Sequence, residues 1–207
     1  MKIAIVGSGA MGQLFGAHLV AADSEVVYLD MSQAIIDALN DRGVAVHTEE
    51  GVLQTPARAT RADVLAEQFD LFVIFTKGFH TRSAVDSIRH LIGPDSIGLT
   101  LQNGLGNAEL LAEAFGPERT LMGMTDFPAD MREPGVIHTS RHSKVRIGPL
   151  GAGAGADADA RAERVARTLA RAGLNASVDA EVLVPVWEKV IFNAGFNTLS
   201  AATGMTV

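Results

Sequence analysis

Lys2-Ile3-Ala4-Ile5-Val6-Gly7-Ser8-Gly9-Ala10-Met11-Gly12 is a short apolar strand running into a glycine turn that opens a helix. The GxGxxG spacing is common by itself, but flanked by a strand and a helix it becomes a specific dinucleotide signal. Gly7 permits the tight turn, Gly9 lets the backbone approach a pyrophosphate, and Gly12 lets the helix pack closely on the strand. The helix N-terminus then faces the anion with unpaired N–H groups. Gly7, Ser8, Gly9, Ala10, Met11 and Gly12 are therefore the first candidate cofactor-binding residues. Read without its flanks, the segment is a glycine-rich turn of some other α/β protein.

Outward from this turn, short apolar runs alternate with helix-like stretches, the pattern of successive βα units on a parallel sheet. The expected strands are Lys2 to Val6, Glu25 to Leu29, Leu71 to Thr76, Ile97 to Leu101 and Thr120 to Thr125. Helices are expected over Met11 to Ala22, Ser32 to Arg42, Thr81 to Leu91 and Ala108 to Phe115, and a strand or hairpin over Val44 to Thr55. Gly135 to Ser140 and Lys144 to Gly148 read as an antiparallel pair, and Pro149 to Asp159, rich in Gly, Ala and Asp, as a loop. A helix over Ala160 to Ala172 and a strand over Asn175 to Val178 return the chain to the sheet. The fold class is α/β: residues 1–179 form a Rossmann-type, doubly wound, mostly parallel sheet. Residues 180–207 begin a second, helical domain that is otherwise missing, because Val182 to Thr203 reads as one long helix, apolar on nearly every face. Such a helix must be covered, and a homodimer is one way to cover it.

Composition excludes several function classes. With 24 acidic against 17 basic residues and a net charge of -7, the chain lacks the basic stripe that nucleic acid requires. No run of about 18 apolar residues is present, so no membrane span is expected. Cysteine is absent, which removes disulfides and thiolate chemistry and fits a cytoplasmic setting. His138 and His142 stand four apart in strand or turn sequence without a third ligand, so no metal site is expected.

Three further sets of residues carry chemistry. Asp30 ends the second strand about 20 residues after the glycines, where a carboxylate accepts hydrogen bonds from the adenosine ribose and repels a 2'-phosphate, favouring NADH over NADPH. The same position also suits a carboxylate that supports the start of the next helix. Lys77 and Asn103 follow neighbouring buried strands, at the sheet edge where open α/β folds bind ligands. Lys77 is placed to reach phosphate or substrate and Asn103 to hold the nicotinamide or a substrate oxygen. Each taken alone also reads as a surface lysine or an ordinary Asn-Gly turn. Lys189, Asn193 and Asn197 recur at i, i+4 and i+8 and share one face of the long helix. A lysine partly desolvated there has a lowered pKa and is a competent proton donor to a carbonyl oxygen, unless it snorkels to water while the amides bond a loop.

With these residues in place the sequence resembles the ketopantoate reductase (2-dehydropantoate 2-reductase) family. The resemblance rests on GSGAMG, FTK at Lys77, LQNGLG at Asn103, Pro134-Gly135, and VWEKVIFNAGFNTLSAATG, and runs across essentially the whole chain. It implies that Lys189 is the general acid and that Asn193 binds substrate or orients that lysine. It also implies that Lys77 and Asn103 help hold cofactor and substrate, and that Asn197 has a lesser part in substrate binding. The implied reaction is reduction of ketopantoate, a small 2-oxo acid, by a reduced nicotinamide. The family's usual cofactor is NADPH, whereas Asp30 points to NADH, as in the NAD-dependent D-2-hydroxyacid dehydrogenases of the same superfamily. It further implies an all-helical C-terminal domain supplying a substrate-binding carboxylate, which leaves open a noncatalytic dinucleotide-binding module.

Overall fold

The apolar runs become strands because both of their faces are covered. In β1 (Lys2–Val6) Ile3 and Ile5 face one side of the sheet and Ala4 and Val6 the other, all buried. The computed structural model describes residues 1–140, 143–151 and 155–205. Its elements run α1 (Ala10–Ala21), β2 (Glu25–Leu29), α2 (Gln33–Arg42), β3 (Val44–Thr48), β4 (Gly51–Thr55), β5 (Ala59–Thr60), β6 (Phe69–Ile74) and α3 (Thr81–Ile88). They continue with β7 (Ile92–Thr100), α4 (Asn107–Phe115), β8 (Thr120–Thr125), β9 (Asp130–Glu133), β10 (Val136–His138), β11 (Val145–Pro149), α5 (Ala156–Arg171), β12 (Ala176–Val178) and α6 (Leu183–Thr203).

Eight strands form one sheet in the order β12-β11-β8-β7-β6-β1-β2-β5. Every pairing in it is parallel except β11 with β8. One face packs on α1 and α5 through Ile3, Ile5, Leu14, Phe15, Val165 and Leu169, and the other on α3 and α4 through Phe72, Ile74, Val85, Ile88, Leu111 and Phe115. This is the doubly wound, mostly parallel sheet expected from the βα rhythm. A second sheet of four strands, β4-β3-β10-β9, lies against α1 with Val44, Val46 and Ile137 in the same core.

Two expectations are corrected. The strands near residues 135–148 do not pair with each other: β10 adds to β3 in parallel register (Val136 with Ala45) and β11 runs antiparallel to β8. The turn at Pro134-Gly135, with Gly135 at φ +89°, makes β9 and β10 a hairpin, so the partner of β10 is already supplied. The Gly/Ala/Asp stretch yields to helix at Ala156, because Asp157 and Asp159 in the first turn suit the helix dipole and Ala158 and Ala162 find buried places. His142 lies outside the described residues. His138 stacks on His47 of the neighbouring strand, with ring centroids 4.7 Å apart. Among the described residues no three metal-ligating side chains gather, and no helix is long and apolar enough to cross a membrane.

Candidate active site

The carboxyl ends of β1, β2, β6, β7 and β8 open onto one groove. Its floor at β1 is the glycine turn. Gly7 has φ +94° and donates its N–H to the Leu29 carbonyl at 2.8 Å, so the turn is tied to the end of β2. A Cβ on Gly12 would lie 2.1 Å from the Gly7 carbonyl oxygen, which is the close approach of helix to strand that only glycine allows. A Cβ on Gly9 would meet nothing within 4 Å. No side chain caps the N-terminus of α1 and no acidic residue occupies its first turn. An anionic pyrophosphate therefore fits here: the space beside Gly9 is open and the helix N-terminus is free to face it.

Two cavities meet along this groove, sharing Gly9, Phe75, Thr76 and Lys77. The larger, about 520 Å³, lies between Asp30, Met31 and Ile35 on one side and His80, Ala84 and Ser87 on the other. The second, about 370 Å³, is bounded by Met11, Lys77, Asn103, Phe127 and Lys189. The groove thus carries the carboxylate of Asp30 in one cavity, Lys189 in the other, and Lys77 where the two meet.

Asp30 takes up the helix-supporting role that the sequence allows and also ties down the glycine turn. Its Oδ1 accepts the N–H of Ser32 at 2.9 Å at the start of α2, and its Oδ2 accepts the N–H of Ser8 at 2.7 Å. A carboxylate offers about four lone-pair directions, so acceptor capacity remains for ribose hydroxyls. Ser8 itself turns inward: its side chain is buried and its hydroxyl has no partner among the described residues.

Lys77 and Asn103 are exposed on adjacent strand ends, held there by a polar network the sequence did not announce. Gln102 donates its amide to the Thr76 carbonyl at 2.6 Å and to the Thr81 hydroxyl at 2.9 Å, and Thr81 in turn donates to Asn107 at 2.9 Å. Asn107 Nδ2 donates to the Asn103 carbonyl at 3.3 Å. Gln102, Thr81 and Asn107 thus fix the spacing of the two strand ends. The only hint was Gln102 standing beside Asn103 after an apolar strand.

Lys189 reaches the second cavity from α6 and donates Nζ to the carbonyl of Thr125 at the end of β8. Burial pulls its ammonium below the ordinary lysine value, and the negative charge of the neighbouring Asp126 acts the other way. Lys189 is therefore the desolvated lysine expected from the helix pattern. Asn193, half-buried one turn on, and Asn197, exposed a further turn away, do not line the cavity. A helix advances about 5.4 Å per turn, and among the described residues α6 packs into the core only near its start, where Val182 and Val186 meet Ala108 and Met122. Beyond Lys189 it presents Ile191, Phe192, Phe196 and Leu199 at 45–68% exposure.

The comparisons with known proteins agree with this geometry. A family model described as ketopantoate reductase PanE/ApbA matches residues 3–152. The chain belongs to the ketopantoate reductase family. The 2-dehydropantoate 2-reductase of Halobacterium salinarum is 34% identical over 203 residues, covering 97% of this chain and 65% of that protein. The enzyme of the same name from Streptococcus pyogenes serotype M1 is 30% identical over 210 residues, covering 100% of this chain and 66% of that protein. Among solved structures, the 2-dehydropantoate 2-reductase of Geobacter metallireducens superimposes with a TM-score of 0.86 at 30% identity, over 97% of this chain and 65% of that one. A D-mandelate dehydrogenase in ternary complex with NADH and anilino(oxo)acetate reaches 0.89 at 27% identity, over 97% and 63%. The chain thus spans about two thirds of the length of the family members it matches.

Proposed function

We propose that this chain is the nucleotide-binding part of an NADH-dependent reductase of ketopantoate or a related 2-oxo acid. The observation that carries the reading is the meeting of an uncapped helix N-terminus, the Asp30 carboxylate and a desolvated Lys189 along one groove. A bound reduced nicotinamide would supply hydride to the carbonyl carbon of the substrate. The protein's part is placement and the proton. The open space at Gly9 and the α1 N-terminus receive the pyrophosphate, and Asp30 receives the adenosine ribose. Lys189 holds a proton on Nζ and releases it to the carbonyl oxygen as that oxygen gains negative charge. Lys77, in both cavities, offers a positive charge to the substrate carboxylate or the phosphates. Asn103 offers an amide beside them.

Asp30 supports NADH over NADPH, because a 2'-phosphate in the larger cavity would meet a carboxylate. Fluorescence titration is expected to give tighter binding of NADH. NADPH binding tighter by tenfold, about 1.4 kcal/mol, would contradict that preference.

Residues 180–207 are proposed to begin a second, helical domain, supported by the uncovered apolar length of α6. Residues 1–207 alone are then expected to bind dinucleotide but reduce ketopantoate poorly. An exposed α6 leaves Lys189 loosely aimed, and positioning contributes much of a rate enhancement. Steady-state rates on ketopantoate and a panel of bulkier 2-oxo acids, with and without a helical C-terminal domain, test this. Equal rates for the two proteins would show that the residues present suffice. Reduction of aryl 2-oxo acids in preference to ketopantoate would favour the D-mandelate-type activity suggested by the NADH-bound structural relative.

A further inference from the structure

Gln13 is fully buried on α1, yet it is a polar residue on the helix face that packs against the core. Its side chain explains why. Nε2 donates to the Ser8 carbonyl at 2.7 Å and lies 3.2 Å from the Met131 sulfur, while Oε1 accepts the N–H of Gly135 at 2.9 Å. Gly135 is the turn between β9 and β10, and its own carbonyl accepts the N–H of Ala45 at 2.8 Å. One buried amide therefore ties the glycine turn to the second sheet.

The consequence for the groove follows from peptide geometry. Ser8 is held at both ends, its N–H by Asp30 and its carbonyl by Gln13. In a trans peptide the C=O and the next N–H point in opposite directions. Pinning the Ser8 carbonyl inward onto Gln13 turns the Gly9 N–H outward, to the open side that Gly9 presents to both cavities. Among the described residues the Gly9 N–H has no acceptor. Without Gln13, that peptide could rotate and the donor would lose its direction. The buried Ser8 carbonyl and Gly135 N–H would also be left unpaired.

We infer that Gln13 is a positioning residue that aims the Gly9 N–H at a dinucleotide phosphate and couples the occupancy of the groove to the β9–β10 turn. The inference rests on the dinucleotide-binding reading above. Gln13 touches no substrate; it acts through the Ser8–Gly9 peptide. Of the four strands in the small sheet, the hairpin of β9 and β10 is the part that feels the ligand.

The test uses the 207-residue chain, NADH as the probe, and amide hydrogen exchange read residue by residue. Gln13→Met, which keeps the unbranched shape and removes both bonds, is expected to weaken NADH binding about tenfold and leave the ratio of NADH to NADPH affinity unchanged, because Asp30 is intact. In the unmodified chain, saturating NADH is expected to slow exchange of the Gly135 amide, about 120 residues away in sequence; this readout needs no variant and holds if Gln13→Met does not fold. Ligand binding by itself stabilises the folded chain and slows every amide that exchanges by global unfolding, so the readout is slowing at Gly135 beyond that of amides in β11 and β12. Equal NADH affinity in a folded Gln13→Met, or no such excess slowing at Gly135 in an unmodified chain that binds NADH, overturns the clamp. Failure of the unmodified chain to bind NADH at all overturns the dinucleotide reading itself, and the clamp's purpose with it.

Discussion

Lys189→Ala, in a protein carrying the helical C-terminal domain, is expected to lower turnover by at least about a hundredfold, the lower scale for losing a positioned general acid. NADH affinity is expected to stay nearly unchanged, because the Lys189 ammonium bonds the Thr125 carbonyl in the second cavity and does not reach the Asp30 end of the groove. The same lysine sets a pH dependence. Only its protonated form donates, and its pKa lies below the ordinary 10.5 because burial disfavours the charge. Activity is therefore present below that lowered value and is lost as pH rises through it, giving an alkaline limb that begins earlier than a solvated lysine would give. Asp126 opposes the shift, so Asp126→Asn is expected to move the limb to still lower pH. Pre-steady-state and pH-rate measurements check both points. Intact turnover in Lys189→Ala would pass the role to another group, with Lys77 the nearest cationic one on the same cavity.

The second large effect separates two glycines of one turn. Gly12→Ala places a methyl 2.1 Å from the Gly7 carbonyl oxygen, a backbone atom that cannot swing aside. The helix must then lift from the strand, with an overpacking cost of about 1 to 3 kcal/mol and a Tm lower by several degrees. Dinucleotide binding is expected to fall at least about a hundredfold as the turn opens, about 2.7 kcal/mol. Gly9→Ala meets nothing within 4 Å and its backbone has ordinary extended angles, so stability is expected to be unchanged. Its methyl nevertheless enters the space that a pyrophosphate would fill, and NADH affinity is expected to fall as steeply as in Gly12→Ala. Thermal unfolding beside fluorescence titration distinguishes them. Unchanged NADH binding in Gly9→Ala would mean that no phosphate approaches that backbone.

Much of this architecture is legible in the sequence where the physical signal is local. β1, β2 and β8 lie where their apolar runs predict, because a strand covered on both faces cannot hide its composition. The hairpin of β3 and β4 falls within Val44 to Thr55, the stretch that reads as a strand or hairpin. Legibility fails where pairing is decided at long range. β10 is three residues long with His138 exposed, and nothing in Val136-Ile137-His138 states that its neighbour is β3, some 90 residues earlier. β9 escapes for the same reason. The start of α5 escapes because alanine favours helix while glycine and aspartate beside it favour a loop, and burial of Ala158 and Ala162 settles the competition. In the site, Asp30, Lys77 and Asn103 are legible because each follows a strand whose end the glycine turn already locates. Gln13, Gln102 and Thr81 are not, since their task is to satisfy backbone groups brought near only by folding. A polar residue at an apolar position of α1 was the one available clue to Gln13.

Backbone amide chemical shifts of the chain, followed while NADH is added, test the central claim that this groove holds a nicotinamide dinucleotide. The expected result is saturable movement of the amides of Ser8 to Gly12, of Asp30 to Ser32 and of Lys77 to Gly78, with the outer strand β12 still. Absence of saturable movement, or movement confined to residues outside the two cavities, would contradict it.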